Sequence, residues 1–345
     1  RSGLLLKPAP RAERLDKNEV ELKLHIPKPK SWPPKSIRVT AFKSYLECPL
    51  RFYLGTILGL RKVDPDAREI PATDFGIVMH KVLEIFALDK SLAHLCDADE
   101  IARKLSDLLD AIAPSFYGEK PSPVVRVQIE NMRARLVAAA ATEAAIRAEG
   151  WSTLEAEYKV VLDDKRVLGD LAITGTMDRI DVHPEKGLRI LDYKTYSQPK
   201  NPSKTHLGPQ RERNYLPEAD LDIFTKKGTP QPRSWTELQL PLYAWLARQI
   251  WPEHAKNGVE VGYFLLPPDG DAPDKALQIF ELTEEMQTSA EKCAERITRL
   301  VKGGHFWPPS PASEVEFDDY KEWFMQEDPQ NLIDEESAHR LNGNP

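Results

Sequence analysis

The chain lacks the features that define several large protein classes. Its three cysteines, Cys48, Cys96 and Cys293, lie far apart among 345 residues, so neither a disulfide framework nor a CxxC metal site fits. No apolar run approaches the 18 residues that a membrane-spanning helix needs. The sequence contains no G-x-x-x-x-G-K-[ST] loop and therefore no such motif for ATP hydrolysis. We expect a protein of the reducing cytoplasm.

The charge balance does not mark the chain as a nucleic-acid binder. Lysine and arginine number 47 and aspartate and glutamate 54, a formal net charge of −7. Any contact with nucleic acid must then use local basic patches rather than the overall field. The sequence begins at Arg1, not methionine, and no signal-peptide segment follows it. We therefore expect a piece of a longer protein.

Composition divides the chain into three parts. Residues 1–35 are basic and proline-rich, which predicts a linker or an extended arm. Residues 36–325 have the content of one folded domain, with a helical part over about 36–150 and a sheet over about 151–302. Residues 326–345 are polar and acidic, a composition that predicts disorder.

Periodicity within the central part predicts a mixed α/β fold. Helices are predicted from Thr73 or Asp74 to Phe86 and over 98–112, 123–149, 235–250 and 283–301. Strands are predicted at Leu154–Leu162, Val167–Val182, Leu188–Tyr193, Val259–Leu266 and Ala276–Leu282. The polar, proline-punctuated stretch 195–234 resists assignment.

The segment Asp192-Tyr193-Lys194 ends a strand that otherwise reads as buried. Leu188, Ile190, Asp192 and Lys194 fall on one face, because strand side chains alternate with a period of two. Charges at such depth need a partner or a metal. Together with the earlier Asp178, they would suit a divalent cation and a phosphate. The alternative is an ordinary ion pair at a strand end.

A histidine, a glutamine and a tyrosine occupy helix faces elsewhere. His80 shares a face with Gly76 and Glu84, and Gly76 is expected to let that face approach another backbone closely. Gln239 and Tyr243 lie one helical turn apart. The alternatives are a satisfied or exposed histidine at position 80 and a polar helix edge at Gln239 and Tyr243. Glu157, on the strand before Asp178, is either a supporting acid or a solvated side chain.

The order of these motifs resembles one nuclease family. Ser44 to Tyr53 (SYLECPLRFY), Gly76xxxHis80, Gly175xxAsp178-Arg-Ile-Asp181, Asp192-Tyr193-Lys194-Thr195 and Gln239xxxTyr243 together resemble the RecB/AddB-like branch of the PD-(D/E)xK nucleases. The resemblance covers roughly residues 36–325. It implies a restriction-endonuclease-like core, a mixed central sheet flanked by helices, with a helical N-terminal part.

The resemblance also implies roles for the matching residues. His80, Asp178, Asp192 and the Tyr193 carbonyl match the metal ligands. Lys194 matches the catalytic lysine beside those two aspartates, with Gln239 and Tyr243 as the later motif residues. Carboxylate and carbonyl donors suit Mg²⁺, and an imidazole tilts the preference towards Mn²⁺.

One departure from the family concerns iron and sulfur. Many AddB-like relatives hold a cluster with one cysteine before the nuclease core and three near its end. Cys48 matches the first position, but no cysteine follows in the expected later region. Four ligands are required, so we expect no iron–sulfur cluster and a buried Cys48.

These features predict a metal-dependent deoxyribonuclease for DNA ends or single strands. Its DNA contacts are expected at basic residues of the stretch 195–234: Lys200, Lys204, Arg211 and Arg213. A helicase motor is expected as a partner, in a missing N-terminal part or a separate subunit. The alternatives are a catalytically silent DNA-binding relative and a stand-alone exonuclease of the CRISPR-adaptation type.

Overall fold

The structure, a computed structural model, describes residues 23–61, 70–163, 165–195, 201–211, 213–224, 229–266, 276–311, 320–324 and 327–343. Within these ranges the helices are α1 (Ala41–Glu47), α2 (Pro49–Phe52), α3 (Ala72–Leu88), α4 (Ala98–Tyr117), α5 (Pro123–Ala148), α6 (Pro202–His206), α7 (Gln239–Ile250), α8 (Pro252–Ala255), α9 (Glu284–Lys302), α10 (Pro329–Leu332) and α11 (Glu335–Leu341). The strands are β1 (Ser36–Arg38), β2 (Ser152–Val160), β3 (Val167–Leu168), β4 (Leu171–His183), β5 (Gly187–Lys194), β6 (Leu207–Pro209), β7 (Asp220–Phe224), β8 (Pro230–Trp235), β9 (Val259–Leu265) and β10 (Leu277–Phe280).

Helix starts follow the capping residues in the sequence. The side chains of Asp97, Ser122 and Thr283 each accept a backbone N–H three residues later, which begins α4, α5 and α9. Helix α3 begins at Ala72, slightly before the predicted Thr73 or Asp74, with Pro71 at its N-cap. Helix α7 begins at Gln239, later than predicted, because the chain up to Trp235 forms β8.

The central sheet mixes parallel and antiparallel pairs, and the predicted mixed α/β architecture is confirmed. Its order is β1-β4-β5-β9-β10, with β2 and β3 also pairing with β4. Strands β2, β4 and β5 are antiparallel neighbours, whereas β5 runs parallel to β9. A parallel pair needs a crossover connection, and α7 lies in the one that joins β5 to β9.

Alternation along β5 sends its side chains into two separate cores. Leu188 and Ile190 join a core with α7 and α9, whereas Leu191 and Tyr193 join a core with α3, α4 and α5. This is the alternation expected for a strand buried on both faces. The same alternation places Asp192 and Lys194 on the α7 side of the sheet.

Strands β4 and β5 separate before they end. Their pairing runs from His183–Gly187 to Arg179–Leu191. Beyond that point β4 pairs with β1, through Thr174 and Arg38 among others, while β5 continues beside β9. The residues just past the last pair are Asp178 and Asp192, so both aspartates lie where the two strands part.

The stretch that resisted assignment contains a small antiparallel sheet. Its order is β6-β8-β7, and β8 is therefore central. Pro230 and Pro232 of β8 pair only with β7, whereas β6 pairs with residues 233–235. Each proline thus lies where one side of β8 has no paired strand, as proline's missing N–H requires.

The expectation of disorder beyond residue 326 is wrong for residues 327–343. Leu332 of α10, Ile333 directly after it and Leu341 of α11 pack into the α7 and α9 core. Leu24 N–H donates to the Leu332 carbonyl at 2.7 Å. Part of the expected N-terminal arm is therefore folded against the end of the chain. Among the described residues, no helix is long and apolar enough to cross a bilayer.

Candidate active site

Asp178 and Asp192 meet at the separation of β4 and β5. The Tyr193 N–H donates a hydrogen bond of 2.8 Å to Asp178 Oδ2, which ties the two strands across the gap. Asp178 is 8% exposed and Asp192 3% exposed. Two carboxylates at such depth repel each other in a medium of low dielectric constant. The arrangement therefore concentrates carboxyl groups at one point inside the sheet, where β4 and β5 part.

His80 and Glu157 close this point from one side. His80, on α3, places Nδ1 3.0 Å from Glu157 Oε1 and 3.7 Å from Asp178 Oδ1. The flanking residues of Glu157, Ala156 and Tyr158, pair with Arg179 and Met177, so Glu157 lies opposite Asp178. The backbone of Glu157 has φ +47°, a value that non-glycine residues rarely adopt. Such strain is common at functional sites.

Lys194, Gln239 and Tyr243 form a connected set on the other side. Lys194 Nζ lies 2.6 Å from Asp192 Oδ2 and donates to Gln239 Oε1 at 3.3 Å. Gln239 Nε2 donates to Asp192 Oδ1 at 2.6 Å and is 3.3 Å from Tyr243 Oη. Tyr243 Oη donates to the Thr176 carbonyl of β4 at 2.6 Å. One turn of α7 thus holds Asp192, Lys194 and β4 in a fixed relation.

The electrostatics of the site favour a bound cation. Burial and the charge of Asp192 raise the pKa of Asp178 to about 8. Burial opposes the charging of His80, but its hydrogen bond to the Glu157 carboxylate and the charge of Asp178 outweigh it and raise the pKa of His80. Both shifts reflect the negative charge gathered at this point, which a metal ion would neutralise.

The residues present fit a divalent metal. One ligand atom each from His80, Glu157 and Asp178 lies within 4.8 Å of the others. Two carboxylates and an imidazole suit Mg²⁺ or Mn²⁺ rather than a soft, thiolate-bound ion. The sequence predicted Asp192 as a ligand, but the cluster contains Glu157 in its place. Both carboxylate oxygens of Asp192 instead contact Lys194 and Gln239. Glu157 was the acid that sequence left undecided, and its signal was a position on the strand beside Asp178.

The Tyr193 side chain points away from the aspartates. Its ring packs edge-on against His80 and Phe264, with centroids 5.5 Å and 5.7 Å away. Burial raises the pKa of its hydroxyl. The side chain therefore supports the position of His80, and the backbone is the part of Tyr193 that reaches Asp178.

The expected DNA contacts have different surroundings. Lys204 is exposed on α6 and Arg211 is half-buried, whereas Lys200 lies outside the described residues. Arg213 is buried, 7% exposed, and Nη1 donates to the Trp235 carbonyl at 3.4 Å. A guanidinium held inside the fold cannot reach a phosphate backbone, so the expectation for Arg213 is wrong.

A buried histidine that the sequence did not single out supports α7. His206 Nδ1 lies 3.0 Å from the Pro202 carbonyl, and Nε2 lies 3.3 Å from the Leu240 N–H. The neutral ring therefore donates through Nδ1 and accepts through Nε2. The Leu240 N–H is one of the first-turn amides that a helix cannot satisfy itself. His206 thus caps the helix that carries Gln239 and Tyr243.

Cys48 is buried, as expected from the sequence. Its Sγ accepts contacts from Arg51 Nη1 at 3.4 Å and the Ser310 N–H at 3.3 Å. The thiol therefore packs as an interior side chain near the start of the domain. The expectation that the chain binds no iron–sulfur cluster stays a prediction.

Comparison with known proteins gives a family match over half of the chain. A protein-family model described as the PD-(D/E)XK nuclease superfamily matches residues 36–214. This range includes His80, Glu157, Asp178, Asp192 and Lys194. Gln239 and Tyr243 lie beyond it.

Several curated proteins are similar to parts of the chain. An uncharacterized protein of Rickettsia conorii is 29% identical over 184 residues, which are 51% of this chain and 21% of that protein. A second, from Rickettsia felis, is 29% identical over 185 residues, with the same coverage. An ATP-dependent helicase/deoxyribonuclease subunit of Carboxydothermus hydrogenoformans is 27% identical over 181 residues, 48% of this chain and 16% of that protein. The matched region spans about a fifth of the length of these relatives.

Proposed function

The chain belongs to the PD-(D/E)XK nuclease superfamily, and on that premise we propose that it is a metal-dependent deoxyribonuclease. Its substrates in this proposal are DNA ends or single strands, and the reaction is hydrolysis of a phosphodiester bond. The motifs of the RecB/AddB-like branch, present from Ser44 to Tyr243, support this reading.

One observation carries the proposal. Two buried aspartates, a lysine and a histidine from three separate elements, α3, β4 and β5, converge where β4 and β5 part. Gathering two buried acids with two partly buried bases is costly for folding unless they serve a bound charge. Two acids that attract a cation beside a lysine that attracts an anion fit a metal ion and a phosphate at the same place.

The proposed metal ligands are His80, Asp178 and Asp192, with the Tyr193 carbonyl, and Glu157 joins them or orients His80 through their hydrogen bond. When bound, a divalent cation polarises the scissile phosphate and lowers the pKa of an attacking water. Lys194 supplies a positive charge from the opposite side. Its contact with Asp192 keeps the ammonium at the site before substrate arrives.

Gln239 and Tyr243 act in this proposal as positioning residues. The amide of Gln239 joins Asp192 to Lys194, and the phenol of Tyr243 joins α7 to β4. Groups held before substrate binds lower the cost of reaching the reactive geometry. The helix thus sets the distance between the acid and the ammonium.

The relative from Carboxydothermus hydrogenoformans suggests the wider context. Its name describes part of an ATP-dependent helicase/deoxyribonuclease. We propose that the present chain is likewise the nuclease part of a larger helicase–nuclease assembly with a motor elsewhere. A stand-alone exonuclease remains the competing arrangement, and sizing the native complex from cells distinguishes the two.

Cleavage of end-labelled DNA tests the activity. The chain is expected to degrade single-stranded or end-containing DNA with Mg²⁺ or Mn²⁺ and to stop when EDTA is added. Asp192→Asn and Lys194→Met are expected to lower the rate by about 100-fold or more. Asp222→Asn and Lys159→Met, exposed residues of β7 and β2, serve as matched controls.

Two results would contradict the proposal. Unchanged cleavage in both site variants would refute the assignment of the site. Wild-type protein that binds DNA but cleaves it with neither metal would instead favour a catalytically silent binding protein.

A further inference from the structure

A cavity adjoins the metal cluster on the side of α3. Its volume is about 400 Å³, and His80 and Glu157 form one wall of it. The remaining lining comes from α3 and α4: Gly76, Ile77, Lys81, Glu84 and Phe116. A molecule in this cavity would therefore touch two of the groups that face the scissile phosphate in the proposed reaction.

Two large apolar side chains in this cavity are left in water. Ile77 of α3 is 54% exposed, and Phe116 of α4 is 46% exposed. Single exposed hydrophobic residues are common on protein surfaces. Here two of them come from different helices and line one cavity beside a polar site. Most pockets that bind ligands combine such apolar walls with a few polar groups.

Gly76 keeps the cavity open. Apart from its own helix, no atom of the described chain lies within 4 Å of the position a Cβ would take at Gly76. Outside α3, no described residue brings its backbone close to Gly76, contrary to the expectation from the sequence. Packing within the described chain does not need glycine here, although glycine in a helix costs about 1 kcal/mol relative to alanine. The missing side chain leaves room there that none of the described residues fills.

We infer that this cavity receives one unstacked nucleobase of a single DNA strand. The inference rests on the proposed function, because it places the base beside the phosphate to be cleaved. Phe116 and Ile77 offer apolar faces to the flat base, and stacking on aromatic side chains is the usual means of holding single strands. The two basic groups of the lining already face acids, Lys81 with Glu84 at 2.7 Å and His80 with Glu157 at 3.0 Å. The cavity therefore offers a phosphate little net attraction, and its apolar faces favour the base over the backbone.

Such a cavity would distinguish single-stranded from double-stranded DNA. Bases of an intact duplex are stacked and paired, and extracting one costs a few kcal/mol. A single strand or a frayed end presents a base without that cost. The cavity thus favours substrates whose strands are already separated, without a sequence-specific contact.

Paired changes in protein and DNA test the inference. The probes are fluorescent single-stranded oligonucleotides, intact or with one abasic nucleotide moved stepwise along the strand, and the readout is binding anisotropy with Mn²⁺ in the Lys194→Met background. At one position, loss of the base is expected to weaken binding roughly 5- to 150-fold, the fold-change corresponding to about 1–3 kcal/mol. Phe116→Ala is expected to weaken binding of the intact strand similarly and to be insensitive to the missing base.

Further variants separate stacking from general damage. Phe116→Tyr should bind like the parent, and Gly76→Leu should weaken binding by filling the cavity. Val127→Ala, at a 62% exposed position on α5, is the matched control and should change nothing. Thermal melting checks that each variant is folded.

The inference fails if Phe116→Ala binds the intact strand like the parent, or if the abasic penalty persists undiminished in that variant. Either result would mean that the apolar side chains of the cavity contact something other than a DNA base, such as another protein. Because the readout is binding, it decides this point even if the wild type cleaves no DNA. Absence of cleavage would count against the proposed function alone.

Discussion

Gln239 Nε2 donates a hydrogen bond of 2.6 Å to Asp192 Oδ1. The other end of the same amide accepts from Lys194 Nζ at 3.3 Å. An amide has one donating and one accepting end, so Gln239 fixes the acid and the ammonium in a single orientation. A residue of α7 thus determines how two charged groups of β5 stand relative to each other.

Replacing Gln239 with leucine should impair turnover without unfolding the protein. Leucine fills a similar volume but holds neither Asp192 nor Lys194. Removal of such a supporting hydrogen bond costs about 10- to 100-fold in activity or metal affinity. We expect kcat to fall at saturating Mn²⁺ while KM for DNA changes little. Gln231→Leu, at an exposed position of β8, is the control. A wild-type kcat in Gln239→Leu would contradict the positioning role.

The stability of the metal-free protein should fall as pH rises towards 8. The pKa of Asp178 is about 8 because of burial and the charge of Asp192, whereas an unfolded aspartate titrates near 3.9. Between these values the folded state holds a proton that the unfolded state has lost. Raising the pH through this window therefore costs up to about 1.4 kcal/mol per pH unit.

Urea unfolding in EDTA at several pH values measures this effect. The pH dependence of the difference between wild type and Asp178→Asn isolates the contribution of Asp178, since asparagine does not titrate. The difference should shift in favour of the variant as pH rises from 5 to 8. Parallel curves for the two proteins would show that Asp178 is ionised throughout, contrary to this expectation.

Divalent cations should stabilise the fold through the same cluster. A ligand that binds the folded state alone raises the free energy of unfolding by about 2.7 kcal/mol at 100 times its Kd. We expect Mn²⁺ to raise the Tm of the wild type at pH 7.5 and to have little effect on Asp178→Asn. Asp222→Asn should respond like the wild type. An equal rise in Asp178→Asn would place the stabilising ion elsewhere on the protein.

Acid should destabilise the protein through His206. Burial lowers the pKa of this histidine to about 3, against about 6.5 when unfolded. A lowered pKa for a base means that stability is present above pH 6.5 and is lost as pH falls towards 3. The loss from this group is about 1.4 kcal/mol per pH unit in that window.

A glutamine at position 206 separates this contribution from others. Glutamine can donate to Pro202 and accept from Leu240 without titrating. His206→Gln should therefore lose less stability than the wild type between pH 7 and 4.5 in urea titrations. His254→Gln, at an exposed position, should follow the wild type. Identical pH dependence in His206→Gln and wild type would mean that the buried ring takes up a proton at no cost.

Local sequence patterns predict the central sheet well, for a simple reason. The alternation along β5 follows from burial on both faces, and it assigns Asp192 and Lys194 to one side without knowledge of their partners. Capping residues such as Asp97 and Thr283 mark helix starts because their hydrogen bonds span three residues. Each of these signals involves residues only a few positions apart in the chain.

Long-range relations are what the sequence left open. The small sheet around β8 depends on pairing between segments that contain prolines. Proline is typical of loops, so the local pattern does not predict these strands. The tail is polar overall, yet Leu332, Ile333 and Leu341 reach the core because α10 and α11 turn them to one side. The burial of Arg213 and the approach of Glu157 to His80 depend on how whole elements pack. No local pattern encodes those distances.

Gly76 has a consequence for anyone who seeks a more heat-resistant version of this protein. Alanine at a helical glycine with open space around it commonly raises stability by about 0.4–1 kcal/mol, so a selection for heat tolerance would favour Gly76→Ala early. Each carbon added at this position also takes up space in the cavity beside His80. Variants chosen for melting temperature alone would then drift away from activity on separated strands, and a screen should measure both properties at once.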